Sequence, residues 1–190
     1  MNAPLRQPMP VDRFLDWEER QELRHEFDGV RALAMTGGTS EHDRISLNLA
    51  ASLVARLRGK PCRPCGSNLK IEAAGSIRYP DAFVACAPVP RGTTVIRDTV
   101  VIFEVLSKGT ARTDRIIKNR EYAATASVRR YVMLEQDEIA ATMFERVGED
   151  WLGRILGADA VIAMPEIDIE VPLAELYEGL DLTSPAEEGG

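Results

Sequence analysis

The hydrophobic positions of this chain repeat first with a helical period and later with a strand period. Apolar side chains on one side of the segment 11–22 predict a first helix. In a second segment, Ile45, Leu49, Leu53 and Leu57 recur at every fourth position. A stripe of this kind predicts a longer helix that buries one face against a core.

Polar and small residues indicate where these first elements begin. Asp28-Gly29 is typical of a tight hairpin turn, so short strands are predicted on either side of it, at 25–27 and 30–35. A pair of glycines then interrupts the chain before the longer helix. Ser40 is the expected N-cap of that helix, because its hydroxyl can accept a hydrogen bond from a free N–H of the first turn.

The remainder of the chain has mainly strand patterns. Strands are predicted at 67–73, 79–85, 99–106, 130–134 and 139–146, with 151–156 and 161–171 as further members of the sheet. Two more helices are predicted, one at 113–126 with Ile116 and Ile117 on its inner face and one at 173–180. The fold class is therefore α/β, in the α+β form of a mixed sheet flanked by helices.

Length and composition are those of one domain. The 190 residues, 45% of them hydrophobic, can build a single core, which we place at 11–182 between a mobile arm at 1–10 and a polar tail at 183–190. No apolar run approaches the roughly 20 residues that a membrane helix needs. The N-terminus has no apolar centre typical of a secretion signal, so the cytoplasm is the predicted location.

The cysteines do not indicate a disulfide-stapled or zinc-binding fold. There are three of them, an odd number. Cys62 and Cys65 have a C-x-x-C spacing, but a zinc site would need a second such pair. Cys86 is expected to be a small core residue.

Charge is distributed unevenly along the chain. The net charge of −7 argues against a partner that is itself a polyanion. Residues 1–130, however, carry 21 basic and 15 acidic side chains, a net charge of +6, whereas 131–190 carry −13. Local charge decides where a polyanion binds, and basic residues are dense between 105 and 130. A solvated helix face is the simpler explanation of such a run.

Glu104 breaks the pattern of the most strand-prone segment, 99–106. The rest of this segment is almost continuously apolar, which is typical of a central strand buried on both faces. A buried carboxylate costs several kcal/mol unless a cation or an ion pair compensates it. Glu104 therefore predicts either a nearby arginine or a bound cation.

Asp81 is the natural second member of such a cation site. It follows Pro80, which is tolerated only at a strand start or edge, so Asp81 is expected where its strand enters the sheet. Neighbouring strands lie about 4.8 Å apart, and carboxylates on two of them can share one divalent cation.

These residues resemble a known family. Pro80-Asp81, followed after a loop by Phe103-Glu104-Val105-Leu106-Ser107, is similar to the motif of the PD-(D/E)xK nuclease superfamily and, more narrowly, to the Uma-type restriction endonuclease family. The other segments that carry the resemblance are Glu26-Phe27-Asp28-Gly29, Ser40-Glu41-His42, Asp114-Arg115 with Lys118 and Tyr122, and Tyr131-Val132-Met133-Leu134.

The resemblance implies a restriction-endonuclease-like fold and a metal-dependent DNA endonuclease that hydrolyses phosphodiester bonds. Asp81 and Glu104 would hold Mg²⁺, for which Mn²⁺ can substitute. The superfamily motif has a lysine two residues after the glutamate, but this chain has Leu106 there. The resemblance moves the lysine role to Lys118 in the following helix, with Lys70 as the alternative.

Further residues receive roles from the same resemblance. Glu26 is a candidate outer carboxylate, and His42 a candidate for contact with the site or a phosphate, although a structural hydrogen bond would equally explain His42. The candidate DNA-binding residues are Lys70, Lys108, Arg112 and Arg115. A homodimer is expected, because two sites must address two antiparallel strands.

Two other functions fit the same residues. A nuclease-like scaffold that binds nucleic acid or a protein partner without cutting is favoured by Leu106 and by the net acidity. A purely structural role would have Glu104 paired with an arginine.

Overall fold

The computed structural model describes residues 9–35, 37–107, 109 and 111–182. The predicted arm at 1–10, except for its last two residues, and the predicted tail at 183–190 lie outside the described residues, as does Lys108. None of the helices in the described part is both long and apolar enough to cross a membrane.

The helices and strands alternate irregularly along the chain. The helices are α1 (Val11–Glu18), α2 (Ser40–Leu57), a π-helix (Thr113–Lys118) that runs directly into α3 (Asn119–Ala124), and 3-10 helices at Pro165–Ile167 and Leu173–Tyr177. The strands are β1 (His25–Phe27), β2 (Ala32–Ala34), β3 (Arg63–Gly66), β4 (Lys70–Ala73), β5 (Ser76–Arg78), β6 (Ala82–Ala85), β7 (Val95–Ile96), β8 (Thr99–Val105), β9 (Arg130–Leu134), β10 (Ala141–Val147), β11 (Asp150–Leu156), β12 (Val161–Met164) and β13 (Ile169–Pro172).

The strands form a mixed architecture, as the hydrophobic pattern predicts. The larger sheet has the order β11-β10-β9-β8-β6-β3, and its only parallel neighbours among the described strands are β8 and β9. A five-stranded sheet has the order β2-β1-β5-β4-β7, and β12 and β13 form a separate hairpin rather than extending the larger sheet. Helices flank these sheets, which confirms the predicted fold class.

The core lies on both faces of the larger sheet. On one face, the predicted stripe of α2 is at most 3% exposed and packs with Val101, Phe103 and Val132 of β8 and β9. On the other face, Ile102 belongs to the same buried cluster as Tyr122 of α3. Because β8 is covered from both sides, its side chains are almost uniformly apolar, and each fully buried one contributes about 1.5–3 kcal/mol.

Three local predictions were wrong. Thr39, not Ser40, caps α2: its hydroxyl accepts a hydrogen bond from the N–H of His42 at 3.3 Å. Ile116 and Ile117 are 52% and 44% exposed, because the wider winding of the π-helix turns them outward. The predicted strand at 67–73 is shorter, and the separate strand β5 was not predicted, because the turn between β4 and β5 is only two residues long.

The cysteines also differ from expectation. Cys62 and Cys86 form a disulfide, and Cys65 is the free thiol. In the antiparallel pairing of β3 with β6, Arg63 lies opposite Ala85, so the next position along places Cys62 beside Cys86. Only this register brings the two together, since 24 positions separate them in the sequence.

Candidate active site

The candidate site is a cleft of about 230 Å³ at one end of the larger sheet. Its walls come from the β1–β2 hairpin, the first turn of α2, the ends of β6 and β8, and the π-helix. Charged and polar side chains from each of these elements line it: Glu26, His42, Tyr79, Asp81, Glu104, Asp114 and Lys118.

Asp81 and Glu104 lie at the same end of neighbouring strands. β6 and β8 are antiparallel with Ala82 opposite Phe103, so the residue before Ala82 lies beside the residue after Phe103. Oδ2 of Asp81 accepts a hydrogen bond from the N–H of Val105 at 2.7 Å, which orients this carboxylate along the end of β8.

Lys118 lies among three carboxylates. Its Nζ is 2.9 Å from Oε1 of Glu104, 3.0 Å from Oδ1 of Asp114 and 3.2 Å from Oε1 of Glu26. Burial lowers the pKa of Lys118, but these carboxylates outweigh it and raise that pKa well above its ordinary value. The lysine is therefore charged, and Glu104 is paired with an ammonium rather than with the guanidinium of the structural alternative.

Glu104 is buried, and more negative than positive side chains lie close to its carboxylate. Burial is the main reason that the pKa of Glu104 is raised well above its ordinary value, and the attraction of Lys118 opposes this shift. The neighbouring carboxylates of Asp114, Asp81 and Glu26 raise the pKa of Glu104 further. The hydroxyl of Tyr122 lies 3.4 Å from Oε1 of Glu104 and donates a long hydrogen bond to it.

Glu26 is held from the side of the smaller sheet. It accepts hydrogen bonds from the N–H of Tyr79 at 3.1 Å and from the guanidinium of Arg78 at 3.2 Å. Arg78 is fully buried and donates two further hydrogen bonds to Glu121, at 2.6 and 2.8 Å. This chain of contacts joins the first hairpin to α3 behind the cleft.

His42 lies in the first turn of α2 with its ring toward Asp81. Its Nε2 is 3.4 Å from Oδ2 of Asp81. The hydrogen bond with Asp81 raises the pKa of His42, although burial works in the opposite direction. The structure thus places His42 at the cleft and next to a candidate metal ligand.

Of the other four candidate residues, three lie away from the cleft and one lies outside the described residues. Lys70 is buried in an ion pair with Glu18 at 2.5 Å and does not line the cleft, so the lysine and DNA-binding roles predicted for it do not fit its position. Arg112 is exposed, and Arg115 pairs with Glu135 beyond the cleft. Lys108 lies outside the described residues.

Asp114 is the site residue to which sequence reasoning assigned no role. It is 1% exposed and lines the cleft. The available signal was its spacing of four from Lys118, which puts both on one helical face.

The charges of the cleft fit a divalent cation. Four carboxylates line the cleft, those of Glu26, Asp81, Glu104 and Asp114, and they outnumber the Lys118 ammonium and the Arg78 guanidinium that pairs with Glu26. Among the described residues, no group of three or more His, Cys, Asp or Glu side chains is arranged to enclose a metal ion. Two carboxylates with water and substrate oxygens suit Mg²⁺, which keeps several waters when it binds proteins.

Comparisons with known proteins agree with this architecture. A protein of Synechocystis sp. (strain ATCC 27184 / PCC 6803 / Kazusa), named "Uncharacterized protein slr1290", is 30% identical over 183 residues, which cover 94% of this chain and 96% of that protein. A solved structure from Anabaena variabilis ATCC 29413, described as a "putative nuclease belonging to DUF820", has the same fold, with a TM-score of 0.75 at 15% identity. The match covers 90% of this chain and 98% of that one.

The family comparison covers nearly the whole described domain. Residues 11–173 match the Uma2 family model, whose description is "Putative restriction endonuclease". Five of the six segments that resembled this family in the sequence contribute a residue to the lining of the cleft, and the sixth, Tyr131-Val132-Met133-Leu134, lies in the buried strand β9. The chain belongs to the Uma2 family.

Proposed function

We propose that this protein is a Mg²⁺-dependent DNA endonuclease that hydrolyses phosphodiester bonds, with Mn²⁺ as an alternative ion. The observation that carries the proposal is the position of Asp81 and Glu104 at one end of neighbouring strands, with the Lys118 ammonium 2.9 Å from Glu104. The family description and the nuclease-like structural neighbour support the reaction class.

Asp81 and Glu104 are the residues that would hold the ion. When bound, Mg²⁺ lowers the pKa of a coordinated water and offsets charge on the phosphate. Lys118 orients the attacking water and stabilises the negative charge that develops on the phosphoryl oxygens. The oxygen of the water bonds to phosphorus, the bond from phosphorus to one ester oxygen breaks, and that oxygen takes up one proton, which balances the proton that the water loses.

Glu26 and His42 complete the proposed site. Glu26 supports Lys118 from the opposite wall, at 3.2 Å. His42, which lies against Asp81, fixes the orientation of that carboxylate and is near enough to the cleft to contact a phosphate. Exposed Arg112 and Arg115, together with Lys108, would contact the DNA backbone, where positive charge binds phosphates without regard to sequence.

A plasmid-nicking assay tests this function. Wild-type protein with Mg²⁺ or Mn²⁺ is expected to cut, and Asp81→Ala and Glu104→Ala are each expected to lose at least about 100-fold in rate, because each removes a negative ligand. Glu175→Gln, which breaks a surface ion pair with Arg56, is the matched control and should cut like wild type. Activity that persists in both alanine variants would come from a contaminant and would overturn the proposal.

A non-cutting scaffold is the second candidate function. The observation that favours it is Leu106, which stands where the superfamily motif has its lysine. The scaffold predicts no cutting and no stabilisation by divalent ions. The nuclease predicts that Mg²⁺ raises the Tm of wild type, because a Mg²⁺ concentration of 100 times Kd adds about 2.7 kcal/mol to the free energy of unfolding. The Tm of Asp81→Ala should rise much less.

A further inference from the structure

Asp114 is a deeply buried acid at the cleft. Its side chain is 1% exposed, and its Oδ1 lies 3.0 Å from Nζ of Lys118. This contact is an ion pair and not a hydrogen bond: within the described part of the chain, Oδ1 of Asp114 is buried and has no hydrogen-bond partner. A carboxylate at this depth is costly unless a cation compensates it, so Asp114 and Lys118 depend on each other.

We propose that Asp114 is a positioning residue, which holds the Lys118 ammonium in place while Glu104 binds the metal ion. This role rests on the proposed nuclease function. Lys118 is 2.9 Å from Glu104. A divalent cation competes with the ammonium for the Glu104 carboxylate. Glu104 alone would therefore hold Lys118 least firmly when the ion is bound and Lys118 has to orient the attacking water.

The backbone makes the Asp114–Lys118 contact independent of the strands. Both residues belong to the π-helix Thr113–Lys118, in which their side chains are buried while Ile116 and Ile117 between them are exposed. Segments of π-helix inside α-helices are rare, and those that occur are often found at functional sites. Asp114 therefore holds Lys118 from within a single element, whatever happens to the ends of β6 and β8.

Glu26 is less suited to this task. Its carboxylate already accepts hydrogen bonds from the Tyr79 N–H and from the Arg78 guanidinium, and its distance from Lys118 is 3.2 Å. Its charge is therefore divided among three partners. Glu26 also attracts the Lys118 ammonium strongly, but its position is set by the smaller sheet, whereas Asp114 lies in the same helical segment as Lys118, 3.0 Å from its Nζ.

The variant Asp114→Asn tests the proposal, because it keeps the shape of the side chain and removes its charge. We expect kcat for Mg²⁺-dependent DNA cleavage to fall about 10–100-fold, as is typical when a group that orients a catalytic residue is lost. KM for DNA and the Mg²⁺ affinity measured by calorimetry should stay at their wild-type values, since in this role Asp114 acts only through Lys118.

A double-mutant cycle separates positioning from other roles. If Asp114 acts through Lys118, then Asp114→Asn should cost nothing further in a Lys118→Met background. Because Lys118→Met leaves Glu104 without its ammonium, circular dichroism verifies that each variant is folded, and the kcat of Asp114→Asn alone still tests the proposal if the double variant does not fold. Glu175→Gln is again the control for loss of an unrelated ion pair.

Each contrary result has a distinct meaning. An unchanged kcat in Asp114→Asn would overturn the positioning role, as would an additional loss in the Lys118→Met background. Weaker Mg²⁺ binding would make Asp114 a metal ligand instead. If wild type cuts DNA and Asp81→Ala does not, any of these results for Asp114→Asn overturns only the positioning role. If wild type never cuts DNA, the proposed function and the positioning role are overturned together.

Discussion

The ammonium of Lys70 lies 2.5 Å from Glu18, and both side chains are only 7% exposed. The hydroxyl of Tyr79 donates a further hydrogen bond to Glu18 at 2.9 Å. Lys70 and Lys118 are both buried lysines paired with carboxylates, and sequence reasoning could not choose between them. The choice depends on which carboxylates surround each ammonium: one in the case of Lys70, and three at the cleft in the case of Lys118.

At the residue scale, Glu18→Leu should lower the free energy of unfolding by about 3–5 kcal/mol at pH 7, because it leaves Lys70 charged, buried and unpaired. Urea denaturation measures this. The double variant Glu18→Leu/Lys70→Met is the control, and it should recover most of the loss, since no unpaired charge remains. A double variant as unstable as the single one would show that packing, not charge, is responsible.

The same pair has a defined pH dependence. Burial raises the pKa of Glu18, but its hydrogen bonds with Lys70 and Tyr79 prevail, so the folded-state pKa lies below its ordinary value of 4.5. Its stabilisation is therefore fully present above about pH 4.5 and is lost as the pH falls through the folded-state pKa. The difference between wild type and Glu18→Leu should shrink over that range.

Among the secondary-structure elements, α2 shows how a helix can be predicted well and its first residue badly. The stripe from Ile45 to Leu57 identifies the helix and its buried face, because burial requires one side of the helix to be apolar. The hydroxyls of Thr39 and Ser40 are both candidates for the N-cap of α2, and only the backbone conformation decides which of them caps the helix. Thr39 is extended and accepts the N–H of His42, whereas Ser40 donates to Glu41 at 2.9 Å.

We predict that Thr39→Ala lowers the stability of the protein by about 0.5–1 kcal/mol, as is usual for loss of an N-cap hydroxyl. Ser40→Ala, one position away and chemically similar, is the matched control and should change stability by less than about 0.5 kcal/mol. Thermal or urea unfolding of the two variants measures both effects. The reverse order would assign the cap to Ser40, as the sequence alone suggested.

For the whole molecule, the uneven charge of the chain bears on the proposed binding of DNA. The carboxylate-rich cleft binds phosphate only if cations offset its charge, and the exposed arginines are segregated toward the first two thirds of the chain. A single cleft addresses one DNA strand at a time. Cutting both antiparallel strands is simplest for two copies related by a twofold axis.

We therefore propose a homodimer and expect sedimentation equilibrium at micromolar concentration to give about twice the 21.0 kDa mass of the chain. The corresponding activity is conversion of supercoiled plasmid to linear DNA with little nicked intermediate. A mass of one chain, combined with accumulation of nicked plasmid, would contradict the dimer and leave a strand-nicking enzyme.

The sequence by itself determined the helix stripe of α2, the buried strand β8 and the anomalous carboxylate within it. These are local consequences of burial, because periodicity follows from which side of each element meets the core. The order of the segments around Asp81 and Glu104 was enough to identify the family.

Only the tertiary structure decided which distant residues meet. The register of β6 against β8 places Asp81 beside Glu104, and the register of β3 against β6 places Cys62 beside Cys86. The π-helix turned the predicted inner face outward and buried Asp114. Strand registers and helical winding arise from the packing of the whole core, and for this reason no local pattern contains them.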